Sequence, residues 1–403
     1  MGKNKRYSGY KSFSFLQPGK DYSPFKLAKE IGRVQSSTVS LSTSEEERVQ
    51  TIIEKNPTIS LHDHTFVWPE DSSQFIDYVR SGRWSLGYEG LAYSGLDAVF
   101  EGLLDGIAVI RSRDPWDWEN VVHQIGMVRE DLDHQNMVFV ATGTEDIVKA
   151  HRDGGIAMVL HLEAPPRLGE DLTRLEVLYG LGVRCMGIAY SRGNEFGSGL
   201  ADKVDRGLTD LGYDYVQALN RLGIAVDLSH AGDRTGLEAI EASKEPVFIT
   251  HAGARALWSS RRMKPDELIE RLAEKDGVFG IEAAPHSTLT KHNLRHNLEG
   301  VMEHFEYVEK LVGIDQAALG PDTLFGDHVA LHKIFRDFLS ISAAAEEGLP
   351  AFPRVEYVDG LENPSEFSNC VRWMVKHGYS DQEIAKATGG NILRVARTVW
   401  ADS

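Results

Sequence analysis

From Thr58 onward the chain alternates between short apolar runs and longer stretches whose apolar positions recur every three or four residues. The short runs read as strands. They are Ile59-Ser60-Leu61, Gly106-Ile107-Ala108-Val109-Ile110, Met137-Val138-Phe139-Val140 and Ile156-Ala157-Met158-Val159-Leu160, then Val183-Arg184-Cys185-Met186 and Ile224-Ala225-Val226-Asp227-Leu228. Val247-Phe248-Ile249, Val278-Phe279-Gly280-Ile281 and Ala317-Ala318-Leu319 complete the series. Between them, Tyr213-Tyr215-Val216-Leu219-Leu222 keeps one apolar helical face, and Pro265-Asp266-Glu267 opens another helix with the proline and acids a first turn favours. Strand then helix, repeated about eight times with strands apolar on both faces, predicts parallel βα units. Closure into an α/β fold of the (β/α)8 TIM-like barrel type is the economical architecture.

Residues 1 to about 55 are polar and irregular until Ser44-Glu45-Glu46-Glu47, a helix start. We read residues 1–56 as an N-terminal extension and 57–403 as the barrel with its C-terminal helices. In that last part Asp381 through Gly390 predicts a short helix with a glycine stop, and Asn391 a cap for a final helix through Trp400.

Composition narrows the function. Of 403 residues, 42% are hydrophobic and 26% charged, ordinary for a globular chain, with no apolar stretch long enough for a membrane helix. Lys+Arg number 43 against 60 Asp+Glu, a net charge of -17, which argues against nucleic acid or an anionic lipid surface as partner. The two cysteines, Cys185 and Cys370, form no CxxC, so any metal here relies on His and carboxylates. The basic start Lys3-Asn4-Lys5-Arg6 leads into no apolar leader, and a cytoplasmic protein is expected.

Metal-competent side chains recur where the apolar runs end. His62 and His64 follow the first run, Glu163 follows Val159-Leu160-His161-Leu162, His230 and His251 end two later ones, and Asp322 follows Leu319-Gly320-Pro321. A barrel gathers all these points on one rim, where such enzymes place their sites. His62 and His64, two apart on a strand, share a side and suit one ion, and a carboxylate can bridge two. His123, His134, His151, His292, His296 and His304 sit in polar text and are read as solvated.

In order along residues 57–400, this text resembles the membrane (renal) dipeptidase family of zinc peptidases, of the amidohydrolase-like barrel type. The matching segments include His62-Asp63-His64, His161-Leu162-Glu163, Gly182-Val183-Arg184 and Gly207-Leu208-Thr209-Asp210. Val226-Asp227-Leu228-Ser229-His230, His251-Ala252-Gly253-Ala254-Arg255, Gly360-Leu361-Glu362-Asn363-Pro364 and Asn391-Ile392-Leu393-Arg394-Val395 continue it. The resemblance implies a dinuclear zinc hydrolase that cleaves a dipeptide or small N-acyl amino acid by metal-activated hydroxide. His62 and His64 would bind the first zinc, Glu163 would bridge, and His230 and His251 would bind the second. Asp322 would carry the proton, and Arg255 would pair with the substrate's free carboxylate. The family commonly forms homodimers.

Two positions depart from the family's pattern. His64 stands where the family has Asp, and Tyr190 where it has a His that polarises the scissile carbonyl. A phenol donates one hydrogen bond without positive charge at pH 7. The departures keep two alternatives open: a same-fold metal enzyme acting on a specialised amide, ester or lactam or by decarboxylation, and a non-catalytic scaffold. Trp68, Tyr93, Phe196, Trp258, His286, Phe325 and His328 are candidates for shaping the pocket.

Overall fold

Strands buried on both faces need cover on both sides, and that requirement sets the architecture. In the computed structural model, which describes residues 5–103, 117–287, 289–338 and 356–400, ten strands form one sheet. They are β1 (Ile59–Val67), β2 (Ala98–Leu103), β3 (Val138–Val140), β4 (Ile156–Leu162) and β5 (Val183–Gly187), followed by β6 (Ala225–Asp227), β7 (Phe248–Ala252), β8 (Val278–Ile281), β9 (Ala317–Leu319) and β10 (Leu324–Phe325). All pairings are parallel, in the order β10-β1-β2-β4-β5-β6-β7-β8-β9, with β3 beside the first half of β4.

The sheet closes into a barrel through the segment that joins β9 to β10. There the Asp322 N–H donates to the His62 carbonyl at 2.9 Å and the His64 N–H to the Thr323 carbonyl at 2.9 Å. Asp63 staples the seam, its Oδ1 accepting from the Thr323 N–H at 2.8 Å and hydroxyl at 2.7 Å.

Inside the ring, Phe100 of β2 and Phe248 of β7 are not sheet neighbours, yet their rings meet at 5.8 Å. Leu61, Val159, Ala225 and Val278 share this apolar floor with Ile392, Val395 and Val399 of the last helix (Asn391–Val399), which plugs it. The two-residue strand period then lifts polar residues above the floor, as Val159 is followed on the same face by His161 and Glu163. On β1 a register shift between Ser60 and Asp63 re-phases the strand. Leu61 therefore stays in the floor while both His62 and His64 reach the layer above it.

Helix ends follow their local chemistry. Ser42 and Glu45 form a capping box for the helix Thr43–Lys55, Thr209 caps Asp210–Leu222, and the latter ends at Gly223 with φ 71°. The arm is tied to the barrel by Lys5 to Asp97 at 2.7 Å, Tyr10 to Asp131 at 2.7 Å and Arg33 to Glu362 at 2.8 Å.

Several expectations need correction. The run 106–110 lies outside the described residues. β2, with Glu101 and Gly102 breaking its apolar text, was not among the expected strands. The glycine pair does break the helix that opens at Asp381: it ends in a π-helical turn, Lys386–Gly390, where Gly389 (φ 174°) leaves helical geometry and kinks the chain into the final helix. Asn391 is that helix's first residue rather than its cap, and its amide donates to the Ile314 and Ala317 carbonyls at 2.7 and 2.8 Å. His123, His134 and His292 are exposed, but His296 and His304 are buried, and His151 donates to Asp97 at 2.7 Å. Buried His304 accepts from the Ala254 N–H and meets the Leu289 carbonyl, each at 3.0 Å. Both cysteines are free and buried. Among the described residues no helix is long and apolar enough to cross a membrane.

Candidate metal centre

The six donors singled out in the sequence converge. His62 Nε2 lies 3.3 Å from His64 Nε2, and Asp322 Oδ1 is 3.1 Å from His64 Nε2 and 3.5 Å from His62 Nε2. On the other side His230 Nε2 and His251 Nε2 are 3.0 Å apart, and Glu163 Oε2 is 3.0 and 3.3 Å from them. His62 joins the halves, its ring stacked on that of His251 at 3.7 Å. Two overlapping groups, His62–His64–Asp322 and His62–Glu163–His251, each bring three donor atoms within 4.8 Å of one another.

Hydrogen bonds outside this layer fix which nitrogen faces in. His64 Nδ1 donates to the Gly102 carbonyl at 2.9 Å. In neutral imidazole its Nε2 is then a bare lone pair, aimed at a carboxylate oxygen. Burial lowers the pKa of His62 to about 4 and pushes His230 and His251 well below 6.5, so these rings are neutral near pH 7. The bare His64 Nε2 facing the Asp322 carboxylate at 3.1 Å is repulsive unless a proton or a cation stands between them, and imidazole with carboxylate suits a zinc-like ion. The donor set fits a metal centre.

The supporting layer contains residues the sequence reading did not single out. His161 Nδ1 meets His62 Nδ1 at 3.1 Å, and its Nε2 lies 3.3 Å from Asp227 Oδ2, a carboxylate–imidazole chain behind a ligand. The signal was present, since His161 sits two residues before Glu163 on one strand face. Asp227 Oδ1 also accepts from the Ser229 hydroxyl at 2.6 Å, and Ser229 Oγ accepts from the His251 N–H at 3.0 Å. Glu101, its pKa raised by burial to about 8, accepts from the Thr65 N–H beside His64. Lys264 is fully buried, donates to the Ala231 carbonyl at 2.9 Å next to His230, and has its pKa pushed down by burial to about 7.

Gly102 is a steric requirement here. A Cβ on it would stand 2.4 Å from the His64 ring and 2.7 Å from the His62 ring. Gly102→Ala is therefore expected to weaken metal binding about 10–100-fold while the barrel still folds, as read by metal titration and circular dichroism. Wild-type affinity in this variant would contradict the packing argument.

Tyr190 stacks on His230, with ring centroids 4.3 Å apart, so it faces the cluster. Arg255 is engaged elsewhere: its guanidinium forks onto Asp233 at 2.5 and 2.9 Å and donates to the Ser260 and Met263 carbonyls. Arg262, which the sequence reading passed over, is closer in character to the site. It is buried, paired with Glu282, and donates to the Ser229 carbonyl at 3.1 Å, and after burial its charge helps keep His230 neutral. Trp68 and Phe325 are buried beside the seam, Phe196 packs on Tyr215, Trp258 is half-buried and Tyr93 is exposed.

The model of the membrane dipeptidase family (Peptidase family M19) matches residues 78–332 and 351–402. His62 and His64 precede that span. Dipeptidase tcpJ of Claviceps purpurea and dipeptidase aclJ of Aspergillus oryzae are each 27% identical, over 279 and 277 residues, 68% of this chain. The chain spans 59% of the length of each of these relatives. Among solved structures, an amidohydrolase from Pseudomonas aeruginosa superposes with a TM-score of 0.71 at 24% identity, covering 88% of this chain and 99% of that one. A Rhodobacter sphaeroides metallopeptidase, liganded with a phosphinate mimic of L-Ala-D-Ala, superposes at 0.65 with 18% identity, covering 86% and 99%. At these identities the likeness speaks for the fold.

Proposed function

Because the chain belongs to the membrane dipeptidase family, we propose that it is a metal-dependent hydrolase that cleaves the amide bond of a dipeptide or small N-acyl amino acid. The observation that carries this reading is the meeting of four imidazole nitrogens and two carboxylates at 3.0–3.5 Å, with His64 turned to present a bare Nε2. His62, His64 and Asp322 would hold one zinc and His230 and His251 a second, with Glu163 between them. Such ions, when bound, acidify water and polarise a carbonyl.

The chain's own residues do the rest. Asp322 stands at the seam with its carboxylate oxygen toward His62 and His64, and is the group that takes a proton from attacking water and passes it to the leaving nitrogen. Tyr190, stacked on His230, offers a phenolic O–H to the substrate carbonyl, a weaker donor than an imidazolium. For a free carboxylate, Arg255 was the sequence expectation, but it is held by Asp233, Ser260 and Met263, whereas Arg262, though paired with Glu282, reaches the Ser229 carbonyl beside His230 and so stands nearer the cluster. We assign that role to Arg262, with Arg255 bracing the loop that carries it.

The deciding experiment is turnover of a panel of dipeptides and N-acyl amino acids by zinc-loaded protein. Turnover is expected, with Arg262→Met raising KM or lowering kcat/KM about 100-fold and Arg255→Ala far less. Silence across the whole panel from fully loaded protein overturns the substrate assignment. Tyr190 and His64 favour a second reading, a same-fold enzyme for a specialised amide, ester or lactam. An inactive wild type that gains dipeptidase activity through Tyr190→His would select it.

A further inference from the structure

His62 turns its Nε2 toward His64 Nε2 and Asp322 Oδ1, at 3.3 and 3.5 Å, and its Nδ1 toward His161 Nδ1 at 3.1 Å. His161 is fully buried on β4, and its other nitrogen, Nε2, lies 3.3 Å from Asp227 Oδ2 at the end of β6. Among the described residues neither of those two atoms has a hydrogen-bond partner elsewhere. Asp227 Oδ1 is already taken, accepting from the Ser229 N–H and hydroxyl and from the Thr250 N–H at 3.1, 2.6 and 2.9 Å.

A neutral imidazole carries one N–H, so the choice made at His161 decides the choice at His62. With its proton on Nε2, His161 faces the carboxylate with an N–H and presents a bare Nδ1, which accepts from His62 Nδ1–H. His62 Nε2 is then a lone pair directed into the cluster. With its proton on Nδ1, His161 sets a lone pair against Asp227 and drives the His62 proton onto Nε2, where it blocks a ligand position. Two buried groups that offer only lone pairs to one another repel, so Asp227 selects the first arrangement.

We propose that His161 is a positioning residue: its tautomer, set by Asp227, sets the tautomer of His62 and readies His62 Nε2 for a cation. His64 is readied separately, by the Gly102 carbonyl. The role of His161 rests on the metal centre proposed above, whereas the proton positions are measurable without metal. Asp227→Asn should reverse them. The asparagine oxygen is expected where three donors converge, which turns its amide N–H₂ toward His161 Nε2. His161 then carries its proton on Nδ1, and His62 is driven to the Nε2–H form.

The test uses the full chain labelled with ¹⁵N-histidine, stripped of metal by chelator, at pH 8. Long-range ¹H–¹⁵N correlation spectra are expected to show His62 as the Nδ1–H tautomer in wild type and as the Nε2–H tautomer in Asp227→Asn. Zinc titration should show affinity about 10–100-fold lower in Asp227→Asn, with an unchanged circular dichroism spectrum. In a His161→Leu background the same substitution is expected to cost less than about threefold, because the relay is already cut. Should His161→Leu not fold, the tautomers in wild type and Asp227→Asn decide. An Nε2–H His62 in metal-free wild type, an unchanged tautomer in Asp227→Asn, or an equal cost in both backgrounds overturns the proposal. Wild type that binds no zinc overturns the metal centre instead, and the tautomers still decide the relay.

Discussion

Glu163→Ala is expected to abolish hydrolysis, with kcat/KM falling at least about 10³-fold, or about 4 kcal/mol of transition-state stabilisation, and with less metal bound. The reason is positional. Glu163 Oε2 stands 3.0 Å from His230 Nε2 and 3.3 Å from His251 Nε2, so it is the anion that two neutral imidazoles and any cation among them share. Alanine leaves His230 and His251 with no carboxylate between them, and a dication there loses the charge that best compensates it. Elemental analysis and steady-state kinetics on the same preparation check both halves. A variant both fully loaded and fully active would remove Glu163 from the centre.

Asp322→Asn, compared with wild type at equal metal content by elemental analysis, tests proton handling. Asp322 has φ 58°, in the left-handed region that Asn tolerates as readily as Asp, and its N–H bond to the His62 carbonyl does not involve the side chain. The backbone and the seam are therefore expected to survive, with a melting temperature close to wild type. What is lost is the charge and the capacity to carry a proton. We expect kcat to fall about 10²–10⁴-fold with KM little changed. Unaltered kcat would show that the proton travels by another group.

Much of this was legible in the chain, for reasons tied to individual residues. Barrel strands buried on both faces are short and apolar, so β1, β4, β6 and β7 stood out, and His62, Glu163, His230 and His251 announced themselves where those apolar runs end. β2 escaped because it spends Glu101 on a neighbouring strand's N–H and Gly102 on making room for two rings. His161 escaped because its partner Asp227 is distant in sequence, though the strand period places it with Glu163. His304 looked solvated in polar helical text, yet its ring meets the backbone at Ala254 and Leu289, contacts between elements that no local pattern encodes. That Arg262 rather than Arg255 lies beside His230, through its bond to the Ser229 carbonyl, is visible only in three dimensions.

The seam between β1 and the β9–β10 segment has a kinetic consequence. Asp63 and Thr323 are 260 residues apart in the chain, and the backbone that joins them also delivers Asp322 to His62 and His64. Closing so long a loop is slow, because its entropy is lost before the contact repays it. During refolding, the half of the centre built on His62 and His64 therefore matures last, and uptake of a coloured ion such as cobalt would act as a clock for the moment the two ends of the barrel meet.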